Sequence, residues 1–392
     1  MQLLFNILIV FSFLKPSGFD ALGYSTINSA FNVARIVFAG YIFLEYFRKS
    51  NRISRPIVVI LGFFSIAAVS TLLSEGDFFR ISILAISMIS LFMYIELMSV
   101  KNVHLMILSF FIVYMILILF NYVWMINIGG FVIDVENSRP DLFAYGKEAT
   151  VTILSSVNGV ASYIFPSIVF AVLFMLTTKK KKLFSWLLIA LCFLSELFLW
   201  SATALSGVFL SLVYLFCIYG RDPIERRFPI KMFLFFVVAL SMGITFFHIQ
   251  YLFSFIIENV LHKDISMTGR IPYWKFCIQK FFTPSPVLGS GWGTTTDNCF
   301  VQVLCSTGVL GFSYFLFMIK KFLVFGKVHN PNSLERFLLA MFAIEIIMFA
   351  SESWVQFYGF YVTLALLANA RTIQENIYGL NKSVNVDFYK KG

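Results

Sequence analysis

LMILSFFIVYMILILFNYVWMI, residues 105–126, decides what kind of protein this is. No charged side chain occurs in it, and Ser109 and Asn121 are its polar interruptions. Wound as a helix, a run of this length crosses about 30 Å, the thickness of the hydrocarbon core of a bilayer. Apolar and polar residues do not alternate along it, as they would in a membrane β-barrel strand. A helix also satisfies its own backbone hydrogen bonds in lipid. The segment therefore reads as a transmembrane helix.

The composition generalises this reading. Of the 392 residues 59% are hydrophobic, 18% are aromatic and 13% are charged. Soluble domains average about 25% charged residues, so a soluble fold this apolar would lack the polar surface to cover itself. Similar runs fall at 2–14, 31–47, 57–73, 81–99, 157–176, 183–200, 203–220, 230–248, 299–319, 334–350 and 354–370. The expectation is an all-α, polytopic membrane protein of about twelve helices forming one domain over 1–392. The first run lacks a basic leader and a cleavage site, which reads as a retained span. Trp200–Thr203 breaks the long run 183–220 into a hairpin.

Charge orients the chain. With the N-terminus inside, one side receives Arg48, Lys49, Arg52, Arg55, Lys101, Lys179–Lys182, Arg221, Arg226, Arg227, Lys231, Lys320, Lys321, Lys327, Arg336, Arg371, Lys382, Lys390 and Lys391, which is 21 of the 30 basic residues. Short cytoplasmic loops carry such an excess. Both termini are thus expected in the cytoplasm, with larger external loops at 127–156 and 249–298. The net charge of +10 is accounted for by these loops and does not indicate a nucleic-acid partner. The short cytoplasmic connections leave no room for a nucleotide-binding domain. The five cysteines form no CxxC pair and no metal-ligand spacing, so neither a metal nor a cofactor is expected.

Chemistry is expected at the outer face. The first loop holds Arg139 among Asp134, Glu136 and Asp141; the second holds Glu258, His262, Arg270, Lys275, Lys280 and Asp297. Within the spans, Arg35, Glu196 and Glu345 lie in the outer halves of their helices, and Arg80 at an outer end. Ionisable groups in lipid are costly and tend to be functional, and their shared depth suggests a polar cavity opening outward. Glu45 and Glu96, near the cytoplasmic ends, read as paired or snorkelling. Arginine matches phosphate oxygens bidentately, which marks Arg270, Arg139, Arg80 and Arg35 as candidates for an anionic head group. Trp274 and Trp292 could stack on sugars or sit in an interfacial belt. GSGWGTTTDN, residues 289–298, lacks the GK[ST] ending of a phosphate loop. Its amides could still form a nest for an anion before the next helix.

The segment 269–311, GRIPYWKFCIQKFFTPSPVLGSGWGTTTDNCFVQVLCSTGVLG, resembles the signature of the O-antigen polymerase and ligase superfamily (Wzy type). The matching features are Gly269–Arg270, Trp274, Pro286, Gly289, Gly291, Gly293, the polar pair Asp297–Asn298, and Gly308-Val309-Leu310-Gly311. SATALSG at 201–207 resembles the family's Ser-Arg stretch, with Ala202 where Arg is common. The resemblance covers about a tenth of the chain. It implies a GT-C-like glycosyltransferase in the bacterial cytoplasmic membrane that polymerises repeat units carried on undecaprenyl diphosphate. The growing glycan would pass to the non-reducing end of a new lipid-linked unit, without nucleotide sugar and in company with a chain-length regulator. It implies phosphate stabilisation by Arg270 and Arg139 and a base drawn from Asp297, Glu196, Glu258 or His262, in that order. Asp297 stands where members often carry His, which favours polymerase over ligase. A lipid-linked oligosaccharide flippase is the alternative from another class, although no internal repeat supports it.

Overall fold

The computed structural model describes residues 1–16, 18–21, 23–50, 52–128, 131–134, 148–155, 159–178, 182–199, 207–209, 211–212, 235–236, 239, 243, 247, 249–255, 258–259, 270–293, 296, 298–325, 333–349 and 358–378. The run 105–126 lies in a helix, Val103–Ile128, as its composition demands. Before it come α1 (Gln2–Phe13), a short α2 (Gly18–Ala21), α3 (Ser25–Lys49), α4 (Arg55–Leu73) and α5 (Phe78–Lys101), which makes Val103–Ile128 α6. After it come α7 (Ala161–Thr177), α8 (Lys182–Leu199), α9 (Arg270–Cys277), α10 (Cys299–Phe325), α11 (Ser333–Met348), α12 (Tyr358–Ala368) and α13 (Ala370–Tyr378).

Five of these, α3, α4, α5, α6 and α10, contain a stretch long and apolar enough to cross a membrane, among the described residues. Shorter apolar helices lie at Gln2–Phe13, Ala161–Thr177, Phe337–Ile346 and Tyr358–Ala368. The chain is a helical membrane protein. The expected spans 203–220 and 230–248 lie largely outside the described residues. One element was not foreseen in the first loop: an antiparallel hairpin of β1 (Phe131–Asp134) and β2 (Glu148–Val151), with Phe131 opposite Val151.

The surface is apolar where lipid would lie. Val33, Ile36, Val37, Leu44 and Phe47 of α3 and Ile116, Leu119, Phe120 and Val123 of α6 face outward. In lipid the interior must be held by close packing and interhelical hydrogen bonds, because apolar burial supplies little contrast. Stacked rings do part of this. Phe110 lies 4.4 Å from Phe170, and Phe111 lies 4.2 Å from Phe174, joining α6 to α7. Buried hydroxyls turn back onto their own helices: Ser90, Ser99, Ser109, Ser167 and Thr307 each donate to the carbonyl four residues earlier. This is the usual way for a serine or threonine to sit in an apolar helix. Pro166 cannot donate to the Ser162 carbonyl, and Gly359 of α12 packs directly over that oxygen, where a side chain would collide.

Both ends of the bundle are tied by polar contacts. At one end Glu96 accepts from Tyr46 and Ser54, Glu45 pairs with Arg48, and Asn376 of α13 donates to the Ser99 carbonyl. Glu45 and Glu96 are thus both paired, as their positions suggested. The other end gathers the C-terminus of α1, the turn at 152–155, the start of α10 and Phe349 at the end of α11. There Gly18 donates to the Leu154 carbonyl, Tyr163 to that of Lys15 and Cys299 to that of Phe349.

Candidate functional site

The described residues of 270–311 interlock at this second end. α10 is not continuous: Gly308 has φ +62° and ψ −167°, which breaks the helix. An intact helix would bond the amide of Val309 to the carbonyl of Cys305, and that of Leu310 to Ser306. Instead a loop supplies all four partners. Ser290 donates to the Cys305 carbonyl (2.9 Å) and Gly291 to that of Ser306 (3.0 Å), while Val309 donates to Pro286 (2.9 Å) and Leu310 to Val287 (3.2 Å). Backbone exposed at a break in lipid costs several kcal/mol per unsatisfied group, so the loop is what permits the break.

Two glycines make this fit possible. Gly308 sits against the Val287 carbonyl, and its left-handed φ is one that other residues rarely adopt. Gly289 has φ +72°, and a Cβ there would lie 2.6 Å from both the Cys305 oxygen and the Gly308 nitrogen. α4 clamps the loop from outside. Its Ser70 hydroxyl contacts the Leu288 carbonyl and, at 2.7 Å, that of Ser306. Thr71 accepts from the Trp292 amide at 2.8 Å. Asn298 caps the N-terminus of α10, its side chain accepting from the Val301 amide.

This geometry revises several expectations. The amides of Gly289, Ser290, Gly291 and Trp292 are all committed to protein oxygens, so this part of the loop is a strut and not an anion nest. Gly291 packs on Thr71 and Ser74, whereas Gly293 is exposed with nothing near its α-carbon face. Trp292 is 5% exposed and meets Phe63 edge to face, and Trp274 is 1% exposed within a cluster of Ile271, Tyr273, Cys277, Val301 and Cys305. Both indoles are core anchors, with no ring face offered to a sugar. Cys305 of that cluster is a buried free thiol.

The basic candidates divide. Arg35 is buried, donates to the carbonyls of Ser12 (3.0 Å) and Phe13 (3.4 Å), and lies over the Tyr358 ring at 4.6 Å. It caps α1, where the helix dipole favours a cation. Arg80 is exposed in the first turn of α5, its amide capped by Asp77. Arg270 is half-buried as the first residue of α9, one turn before the anchored Trp274. Among the acids, Glu196 is buried on α8, Glu258 is exposed, and the buried Glu345 accepts from Thr363 at 2.7 Å. Asp297, His262 and Arg139 lie outside the described residues.

A cleft of about 260 Å³ opens beside the strut, lined by Leu73, Ser74, Lys280, Phe281, Pro284, Ser285, Leu288, Gly289 and Ser290. In the sequence Lys280 was one charge of the second loop with no role of its own, and Ser70, Thr71 and Ser74 were given no role. The available signal was the hydroxyl face Ser70–Thr71–Ser74 at the end of an otherwise apolar span. Compared with known proteins, the chain matches no family model and no curated protein sequence.

Proposed function

We propose that the protein is a polysaccharide polymerase of the bacterial cytoplasmic membrane. It transfers a growing glycan from undecaprenyl diphosphate to the non-reducing end of a new lipid-linked repeat unit. In this reading about twelve spans form a GT-C-like domain with both termini in the cytoplasm, and the interlocked segment faces outward. The observation that supports it most is that the residues resembling the family signature are one built unit. The loop that carries Pro286, Gly289 and Gly291 is joined to the chain on either side of Gly308 by four backbone hydrogen bonds, Ser290 to Cys305, Gly291 to Ser306, Val309 to Pro286 and Leu310 to Val287.

The chemistry asks for few groups. A sugar hydroxyl of the acceptor attacks the anomeric carbon of the donor, the bond from that carbon to the diphosphate oxygen breaks, and the hydroxyl proton passes to a base. Charge grows on the leaving diphosphate, and a guanidinium placed beside it lowers the barrier. Arg270, at the start of α9, is assigned this role, with Arg139 and Arg80 as further phosphate contacts. Asp297, immediately before the cap of α10, is the first choice of base; Glu258 and His262 follow. Glu196 is buried within the bundle, which suits a structural carboxyl better. The lipid-linked repeat units are the substrate, and a chain-length regulator is the expected protein partner.

The break at Gly308 also suits a transporter, since discontinuous helices line transport sites. Against a flippase, the freed backbone groups of this break are filled by the chain's own loop. The test is Arg270→Ala in cells. At unchanged protein level it should leave single-repeat glycolipid in place of the long-chain ladder. A normal ladder would remove Arg270 from the mechanism. Arg270→Lys should be nearly as damaging, because an ammonium cannot grip a phosphate bidentately.

A further inference from the structure

We infer that the cleft at Lys280 is a binding site for one phosphorylated sugar, a role that rests on the polymerase reading and places part of its substrate. The site is built from three directions. After α9 the chain winds into a π turn, Ile278–Phe282, closed by the Thr283 amide donating to the Ile278 carbonyl at 3.0 Å. Such turns are rare and frequent at functional sites. Here the turn sets the Lys280 ammonium over two rings, 5.1 Å from Phe276 and 5.3 Å from Phe281. Cation–π contact restrains an otherwise mobile cation at the mouth of the cleft.

The lining also presents hydroxyls. Ser74 donates its proton to the Ser70 carbonyl at 2.7 Å, and Ser290 to that of Cys305 at 3.2 Å. Their oxygens therefore keep lone pairs to accept from a ligand, and Ser285 adds a third hydroxyl. Phe281, Pro284, Leu73 and Leu288 supply the apolar surface that a pyranose ring needs. One cation, three hydroxyls and an apolar floor match a hydroxylated ring bearing one phosphate. At about 260 Å³ the cleft falls below the usual range for drug-sized ligands, about 300–1,000 Å³, and admits one such group without its lipid. The same phosphate chemistry could come from a phospholipid head group, so the lipid is varied in the test.

The test uses the full chain in phosphatidylcholine nanodiscs, with binding of glucose 1-phosphate followed by saturation-transfer NMR. Glucose and inorganic phosphate are the comparison probes. Lys280→Met and Ser285→Ala leave the interlocking backbone bonds in place, and thermal unfolding verifies their folding. The wild type should bind glucose 1-phosphate more tightly than either comparison probe. Lys280→Met should weaken it at least tenfold and Ser285→Ala severalfold. Equal binding by Lys280→Met, or inorganic phosphate binding as tightly as the sugar phosphate, overturns the assignment. So does loss of the sugar phosphate signal in phosphatidylglycerol nanodiscs, which would make the cleft a lipid head-group site. Binding does not require turnover. A Lys280-dependent signal from a protein whose deletion leaves glycan ladders intact would sink the polymerase reading and spare the cleft.

Discussion

Gly308 carries the largest structural burden for its size. Its φ of +62° costs other residues roughly 1–2 kcal/mol, and a methyl group there would meet the Val287 carbonyl. Gly308→Ala should therefore lower the melting temperature in detergent sharply or prevent accumulation. Gly40→Ala is the matched control, since its site on α3 is exposed and open, and should be neutral or slightly stabilising. Equal melting temperatures would mean that the helix is not broken at Gly308. Arg35 separates capping from phosphate binding in the same way. If it caps α1 through the Ser12 and Phe13 carbonyls, Arg35→Met leaves two buried acceptors unpaired and costs about 1–3 kcal/mol each. Its effect should appear in thermal unfolding of the purified protein with no substrate present. A variant of wild-type stability with lost polymer would return Arg35 to the phosphate site.

Among the elements, the joint between α4 and the 285–292 loop governs how the candidate site is held. Ser70 contacts carbonyls 218 and 236 residues further along the chain. Ser70→Ala should destabilise the protein by about 1–3 kcal/mol and loosen the strut. Thr71→Val removes the acceptor of the Trp292 amide and should act similarly. Thermal unfolding and glycan length distribution measure both, and an unchanged melting temperature in both variants would contradict the clamp. Such partnerships were not legible in the sequence, where Ser70 and Thr71 are two hydroxyls in an apolar run. Helix positions were legible because uncharged runs admit one structure in lipid. Their ends were less so. α3 begins at Ser25, not near 31, because Thr26, Asn28 and Ser29 continue the helix past its apolar stretch, and α10 runs to Phe325 through Lys320 and Lys321. The glycine pattern marked a loop that pairs with α10 and α4. Its purpose was hidden because φ and backbone pairing are set by α10 and α4, not by the loop's own residues.

For the whole molecule, the account places the Lys280 end of the bundle outside and the Asn376 end inside. Single cysteines in a Cys217→Ser background test this, because Cys192, Cys277, Cys299 and Cys305 are buried and Cys217 lies outside the described residues. Thr283→Cys, at an exposed turn, should react with an impermeant maleimide in intact cells, while Arg371→Cys on α13 should react only after permeabilisation. The reverse pattern would invert the topology and remove the polymerase reading with it. The central claim, that this chain joins lipid-linked repeat units, is tested most directly by deleting its gene and separating the surface glycolipids on a gel. The ladder should collapse to a single-repeat band and return with the wild-type gene. An unchanged ladder, full-length polymer left on its carrier, or loss of every repeat would contradict it.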